Sequence, residues 1–148
     1  MAASAWQLYN YAKRYIGNGT ITLGAGVFKM VLARSASNAS TFTLSTYASV
    51  TNEISATGGY VTGGKNLVPA TGQWTVGASA KQMKFTMSTV GLAFTASGAS
   101  LTNIKYAILR NSTGAGAGKL LCFCQLSSSQ FTVTSPNTLT VLPAATGI

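Results

Sequence analysis

Two glycines spaced ahead of a lysine can cradle a phosphate. In GGYVTGGKN (58–66), Gly59, four intervening residues and Gly64-Lys65 satisfy every position of G-x-x-x-x-G-K-[ST] except the last, where Asn66 replaces the hydroxyl. That chemistry needs a strand before the loop, a helix after it, a hydroxyl on magnesium and an acid elsewhere to hold the metal. Here NLVPATGQW follows Lys65, and Pro69 and Gly72 leave no room for a helix. The chain has no Asp. The stretch therefore reads as a turn, a short strand over 59–62 and a second turn, with Gly63, Gly64 and Lys65 structural. A second glycine-rich stretch, STGAGAGKL (112–120), has Thr113 where the first glycine would stand and reads as a hairpin loop.

The other chemistries fail by census. The 148 residues contain one Glu (Glu53), no His and two cysteines. Paired-carboxylate hydrolysis, His-based triads and zinc or hard-cation sites are all excluded by residue type. No local pattern supports a Ser–Lys pair. The expectation is a protein that is not an enzyme and carries no cofactor or metal. Cys122 and Cys124, two apart in LLCFCQL, put both side chains on one face of a predicted strand, which suits small core residues and not a disulfide. Three Asn-x-Ser/Thr sequons, at Asn18, Asn38 and Asn111, are what a hydroxyl-rich chain yields by chance.

Charge is the unusual property. Ten Lys and Arg against one acid give a net charge of +9, yet charged residues are only 7% of the chain, against about 25% in ordinary domains. The 16 Ser and 20 Thr must keep the surface wet. A lone carboxylate among ten cations is expected to be partnered, so Glu53, in VTNEIS beside the glycine-rich turn, reads as structural, with a solvated surface position as the alternative. No apolar run approaches the ~18–20 residues of a membrane span. Lys13 and Arg14 follow the first apolar residues instead of preceding them, so the N-terminus does not read as a signal peptide and the mature chain is expected to start at or near Met1.

The elements that must position these residues are mostly strands. Helical spacing of Ala5, Leu8, Tyr9, Ala12, Tyr15 and Ile16 predicts a helix over 4–16, with Ser4 as N-cap and Gly17 as stop. Strands are predicted at 20–23, 27–33, 41–44, 59–62, 73–77, 81–87, 91–96, 103–110, 119–126, 130–134 and 138–142, with turn signals every 8–14 residues. Alternation is clearest in KQMKFTM and NIKYAILR. The expectation is one mainly β domain over 1–148, a jelly-roll-like sandwich or barrel, with the N-terminal helix (1–17) packed on it or projecting from it.

The order of IGNGTITL, VFKMVLARS, VTNEISATGGYVTGGKNL and IKYAILRN resembles a family of small virion proteins of tailed bacteriophages, most strongly over 13–34 and 50–67. The resemblance implies a head decoration, or cement, protein on the capsid exterior, made in the host cytoplasm. It would reinforce contacts between major capsid subunits and assemble as a homo-oligomer. A tail-tube, tail-fibre or head–tail joining subunit is the alternative within that resemblance. The chain departs from the family at 36–50, where relatives carry more Asp and Glu, which implies an unusually acidic partner. A nucleic-acid-binding module is the third reading, from charge alone. The cations are scattered, only Lys13 and Arg14 being adjacent, so no specific nucleic-acid site is expected, and no membrane partner. Trp6, Tyr9, Lys13 and Arg14 are the expected partner contacts, because aromatic anchors with cations are enriched at interface hot spots; the same helix could instead plug one end of the sandwich.

The departure of 58–66 from a phosphate loop has a direct test. The recombinant protein is expected to hydrolyse no ATP, with Lys65→Ala making no difference to ATP in a binding titration. Magnesium-dependent binding in the micromolar range, lost in that variant, would overturn the structural reading of the loop.

Overall fold

Three strands read as nearly unbroken apolar runs, FKMVLAR, IKYAILRN and LLCFCQ. Such strands must be covered on both faces, and they form the centre of the protein. The computed structural model describes residues 3–67, 69–76, 83–87 and 91–142; within 69–76 and 83–87 it describes backbone, together with the Phe85 side chain. Its elements in chain order are β1 (Gln7–Leu8), α1 (Asn10–Gly17), β2 (Phe28–Arg34), a 3-10 turn (Tyr47–Ser49), β3 (Lys65–Asn66), β4 (Pro69–Val76), β5 (Met83–Met87), β6 (Leu92–Thr95), β7 (Leu101–Asn111), a second 3-10 turn (Gly114–Gly116), β8 (Leu120–Gln125), β9 (Phe131–Val133) and β10 (Thr138–Val141). The protein is mainly β, with one α-helix among the described residues, and its antiparallel pairing is consistent with a jelly-roll-like sandwich.

The main sheet has the order β1-β8-β7-β2-β3, with β9 also on β7. Ile104 pairs with Arg34 of β2 on one edge of β7 and with Phe131 of β9 on the other, so β9 continues down the side that β8 occupies. Two smaller antiparallel pairs, β4-β5 and β10-β6, complete the described sheets. Val31, Leu32, Ala33, Ile104, Ala107, Ile108, Leu109, Leu120 and Cys122 have at most token exposure. Continuous burial here, where NIKYAILR alternates only in part, follows from cover on both faces. Phe85 of β5 packs its ring against Phe28, 5.1 Å between centroids, and covers one of them. Cys122 and Cys124 are free and buried in this core. Burial pushes both thiols up, so they act as small apolar groups.

The N-terminal prediction needs correcting. The helix begins at Asn10, not Ser4, and Tyr9 takes the N-cap position without a side-chain cap. Residues 4–8 run along the edge of β8, with Gln7 and Leu8 forming β1 opposite Phe123 and Cys122. The Ser4 and Tyr9 amides donate to the Gln125 and Leu121 carbonyls, and Ser4 Oγ accepts from the Gln125 amide. The spacing of 4–9 suits a helix, but an unsatisfied β8 edge would cost more than the weak helical preference gains. The predicted strands at 20–23, 41–44 and 59–62 are also absent; these residues are turns and irregular segments. Each offers hydrogen-bonding groups to neighbours: Ile21 to Tyr15, Phe42 to Asn10, Tyr60 to Thr57. Of the other predicted strands, residue 77 and 81–82, with Lys81, lie outside the described residues, as does Gly147-Ile148.

The opposite edge of the sheet is closed by the segment from Asn52 to Leu67. Arg34 N–H donates to Asn52 O, Ile54 N–H to Leu32 O and Leu67 N–H to Phe28 O. Gly64 allows the close approach. It has φ +82°, and a Cβ there would lie 2.2 Å from the Met30 carbonyl oxygen. Gly64→Ala is expected to cost at least ~2 kcal/mol in chemical denaturation, combining left-handed strain with displacement of that carbonyl. Gly19→Ala, with φ +75° but open space around it, should cost only about 1 kcal/mol. Equal losses at the two sites would contradict the steric account.

Candidate functional site

The only side-chain carboxylate of the chain is a hydrogen-bond hub. Glu53 is half-buried and bridges to Ala33 of β2. Tyr60 Oη donates to its Oε1 at 2.6 Å, the Gly63 amide donates to the same oxygen at 2.8 Å, and Tyr47 Oη donates to Oε2. All three donors are neutral. Tyr60 Oη also accepts from the Leu32 amide at 3.2 Å, which ties the hub to β2. Arg110 of β7 donates from Nε and Nη2 to the Gly63 carbonyl, at 3.1 and 2.8 Å. Its guanidinium lies 4.3 Å from the centroid of the Tyr47 ring. Both polar groups of Gly63 are thus held, one by the acid and one by the cation. The Gly64 amide is occupied too, by Val61 O. The amides of Tyr60, Gly63 and Gly64 in GGYVTGGKN are thus committed within the protein, and a carboxylate, which would repel a phosphate, stands on one of them.

Burial, followed by the bond to Glu53, pushes the Tyr47 phenol up to about 12. The same two causes, in the same order, raise Tyr60. Burial also raises Tyr9, whose hydroxyl donates to Ala39 O at 2.6 Å.

The residues singled out from sequence fall in three places. Glu53, Gly63 and Gly64 come together in the hub. Lys65 is exposed, and its Nζ reaches across to Ala93 O of β6 at 2.8 Å. The four expected partner contacts do not form one face. Lys13 and Arg14 are exposed on α1 and Trp6 is partly buried just before β1, but Tyr9 is fully buried against Phe123. Tyr9 is therefore a core residue and is withdrawn as an interface anchor. The exposed aromatic of the helix is Tyr11, 42% exposed, which shares a face with Arg14 and Tyr15. Phe42, 44% exposed, lies nearby through the Asn10–Phe42 backbone bond.

Sequence reasoning missed Tyr47, Tyr60 and Arg110. A signal existed, since a sole acid between two tyrosines, six residues before it and seven after, has phenol donors within reach. Also missed was a groove of about 440 Å3 beside the hub, lined by Lys29, Tyr60, Lys65, Asn66, Phe94 and Thr95 among others. Among the described residues no cluster of three or more His, Cys, Asp or Glu could hold a metal. No helix among them is long and apolar enough to cross a membrane. Comparison with family models, with curated proteins and with solved structures returns no match.

Removing the hub carboxylate leaves the Gly63 amide and two phenols without their acceptor. Glu53→Ala is expected to lower unfolding free energy by ~1–3 kcal/mol, and an unchanged denaturation midpoint would show the hub to be dispensable. The phenols add a pH dependence. Their folded values lie above the ordinary 10, so between pH 10 and about 12 the unfolded chain releases protons that the folded chain retains. Stability should therefore fall as pH rises through that window. Tyr47→Phe should remove one late-ionising phenol from the ultraviolet absorbance titration and reduce the fall.

Proposed function

We propose that the protein is a non-enzymatic structural component of a virion, a capsid decoration protein that docks on an acidic lattice of major capsid subunits. The observation that carries this reading is the inward commitment of Glu53. With its sole acid engaged by Tyr47, Tyr60 and Gly63, the chain offers its surroundings cationic side chains and no free carboxylate side chain. A protein at +9 that assembles in many copies repels itself unless a partner supplies negative charge. The resemblance of 13–34 and 50–67 to small tailed-phage virion proteins supplies the setting. A fold stiffened at both edges of its main sheet, with neither His nor Asp in its composition, suits a reinforcing role. Symmetric repetition would turn weak contacts into tight attachment.

Reconstitution on capsids stripped of the protein, titrated with salt, tests the reading. Binding is expected, with an on-rate that falls as salt rises, because exposed charges are screened over about 8–10 Å at physiological ionic strength. Deleting 1–16 is not a clean probe of the helix, since it removes the edge strand and Tyr9. Exchanging Lys13 and Arg14 for Glu keeps the fold and should slow association. Failure of the folded protein to bind stripped heads at any salt would sink the decoration reading, and antibody labelling confined to tails would move the protein to a tail component.

A further inference from the structure

The groove beside the hub is bounded by two strand edges. On β6, Ala96 N–H donates to Asn137 O, which makes 96 and 137 a hydrogen-bonded pair. Such pairs alternate along an antiparallel ladder. In the register Phe94↔Leu139 and Leu92↔Val141, those residues exchange bonds with β10, while Ala93 and Thr95 turn their N–H and C=O away from it. Two contacts agree on the direction: Ala93 O accepts Lys65 Nζ, and Thr95 O faces Gly59, 3.1 Å from where a Cβ on that glycine would be. Beyond Thr95 the edge is therefore covered by the 58–59 segment, whose Gly58 O accepts the Ser97 amide. On β3, the bond from Leu67 N–H to Phe28 O makes Met30↔Lys65 the bonded pair and Lys29↔Asn66 the open one. Asn66 therefore turns its backbone groups away from β2. Asn66, Ala93 and Thr95 all line the groove. Among the described residues β6 has no strand partner but β10, and β3 none but β2.

The charge of the groove has one sign. Lys29 and Asn66 share a face in their open pair, and Lys29 stands directly across from Arg110 on β7. Like charges directly opposed on neighbouring strands repel. The one side-chain carboxylate of the chain is bound to Tyr47, Tyr60 and Gly63, so no acidic side chain of this protein is free to neutralise Lys29. The floor is apolar, with Tyr60 and Phe94 buried and their rings 6.1 Å apart, and Val61 on the lining is 70% exposed.

We propose that this groove is a docking site for an extended acidic segment of a partner protein. The segment would use the outward backbone groups of Asn66 and Ala93 and the outward amide of Thr95 as a strand uses a sheet edge, and would pair its carboxylates with Lys29 and Lys65. Edge addition supplies affinity through the main chain, and alternate side chains supply selectivity. A strand places every second side chain on one face, so acids alternating with apolar residues meet the lysines and the exposed Val61 in turn. Lys65 Nζ is the gate of this arrangement, because its bond to Ala93 O occupies an edge acceptor that the incoming strand would take over. The acidic partner rests on the functional reading above, while the groove itself does not.

The test uses the full chain and an acetylated, amidated peptide of alternating Glu and Val, with its Gln–Val counterpart and oligo-dT as comparisons. Nuclear magnetic resonance titration should shift the amides of Lys29, Asn66, Ala93 and Thr95 with the acidic peptide and far less with the neutral one. Hydrogen exchange at Ala93 and Thr95 should slow. The double variant Lys29→Gln/Lys65→Gln should weaken binding roughly tenfold or more, while the charge-matched Lys105→Gln/Lys119→Gln changes it less than about twofold. Shifts that map elsewhere, equal binding of acidic and neutral peptides, or stronger occupation of the groove by oligo-dT would each overturn the proposal. So would normal uptake of the Lys29→Gln/Lys65→Gln protein by stripped heads. Peptide bound in the groove while heads reject the wild-type protein would support the groove and remove the capsid as its partner.

Discussion

Everything on one side of the main sheet hangs on a single carboxylate. Glu53 gathers the phenol of Tyr47 from the first 3-10 turn, and the phenol of Tyr60 and the Gly63 amide from the long irregular segment to which it belongs. That segment, Asn52 to Leu67, has almost no regular structure of its own, yet it satisfies the outer edge of β2 group by group. An irregular chain laid along a strand normally forfeits conformational entropy with few contacts to offset it. Here the acid converts separate weak contacts into one linked network, in which Arg110 grips the carbonyl of the same glycine whose amide Glu53 holds. Partly buried networks of this kind are stabilising only when each member is satisfied. The neutrality of the donors matters as well, since a direct ion pair with Arg110 would leave the phenols to find other acceptors.

The two edges of the sheet are closed by different means. At β8 the chain uses a short strand, Gln7–Leu8, with the Ser4 hydroxyl and backbone extending the pairing. At β2 it uses the hub-held segment and a two-residue strand. An open edge invites association with another chain, and natural sheets blunt theirs with short strands, cations and irregular cover. This protein does so at both ends, and turns backbone groups that no strand pairs toward the groove from β3 and β6. Lys65 stands at that opening as a cation on an edge, which discourages indiscriminate strand addition while remaining compatible with an acidic strand.

Much of the fold was legible because strand periodicity and turn chemistry are local. β2, β6, β7, β8, β9 and β10 lie within a residue or two of their predicted limits. The failures share one cause. At 4–9 the helical spacing is real, but the segment is recruited to an edge 115 or so residues away in the chain. At 20–23, 41–44 and 59–62 the β-prone residues are spent on turns that cover the core. Tyr9 looked like a surface anchor because a helical wheel has no knowledge of Phe123. The hub was half legible: a sole acid among ten cations suggested a partnered role beside the alternative of a surface position. Its phenol donors, however, lie on either side of it in the chain, and Arg110 joins from β7 only through the Gly63 carbonyl. The groove was not legible at all, because it exists only where β3 and β6, distant in sequence, line one cavity with edges that no described strand pairs.

A charge pattern this lopsided constrains what assembly can mean. Hydroxyl side chains keep the surface hydrated without adding negative charge, so each copy carries its full repulsion into any array. Copies alone would therefore pack poorly at low ionic strength, and an acidic partner does more than add contacts, because it removes the term that opposes crowding. Specificity then needs a feature that a general positive field lacks. Scattered cations attract any polyanion, nucleic acid included, over roughly a Debye length. A strand edge with lysines at fixed register accepts only a chain that is both extended and acidic at alternate positions. Long-range charge would bring partners together, and the backbone geometry of Asn66, Ala93 and Thr95 would decide which of them stay.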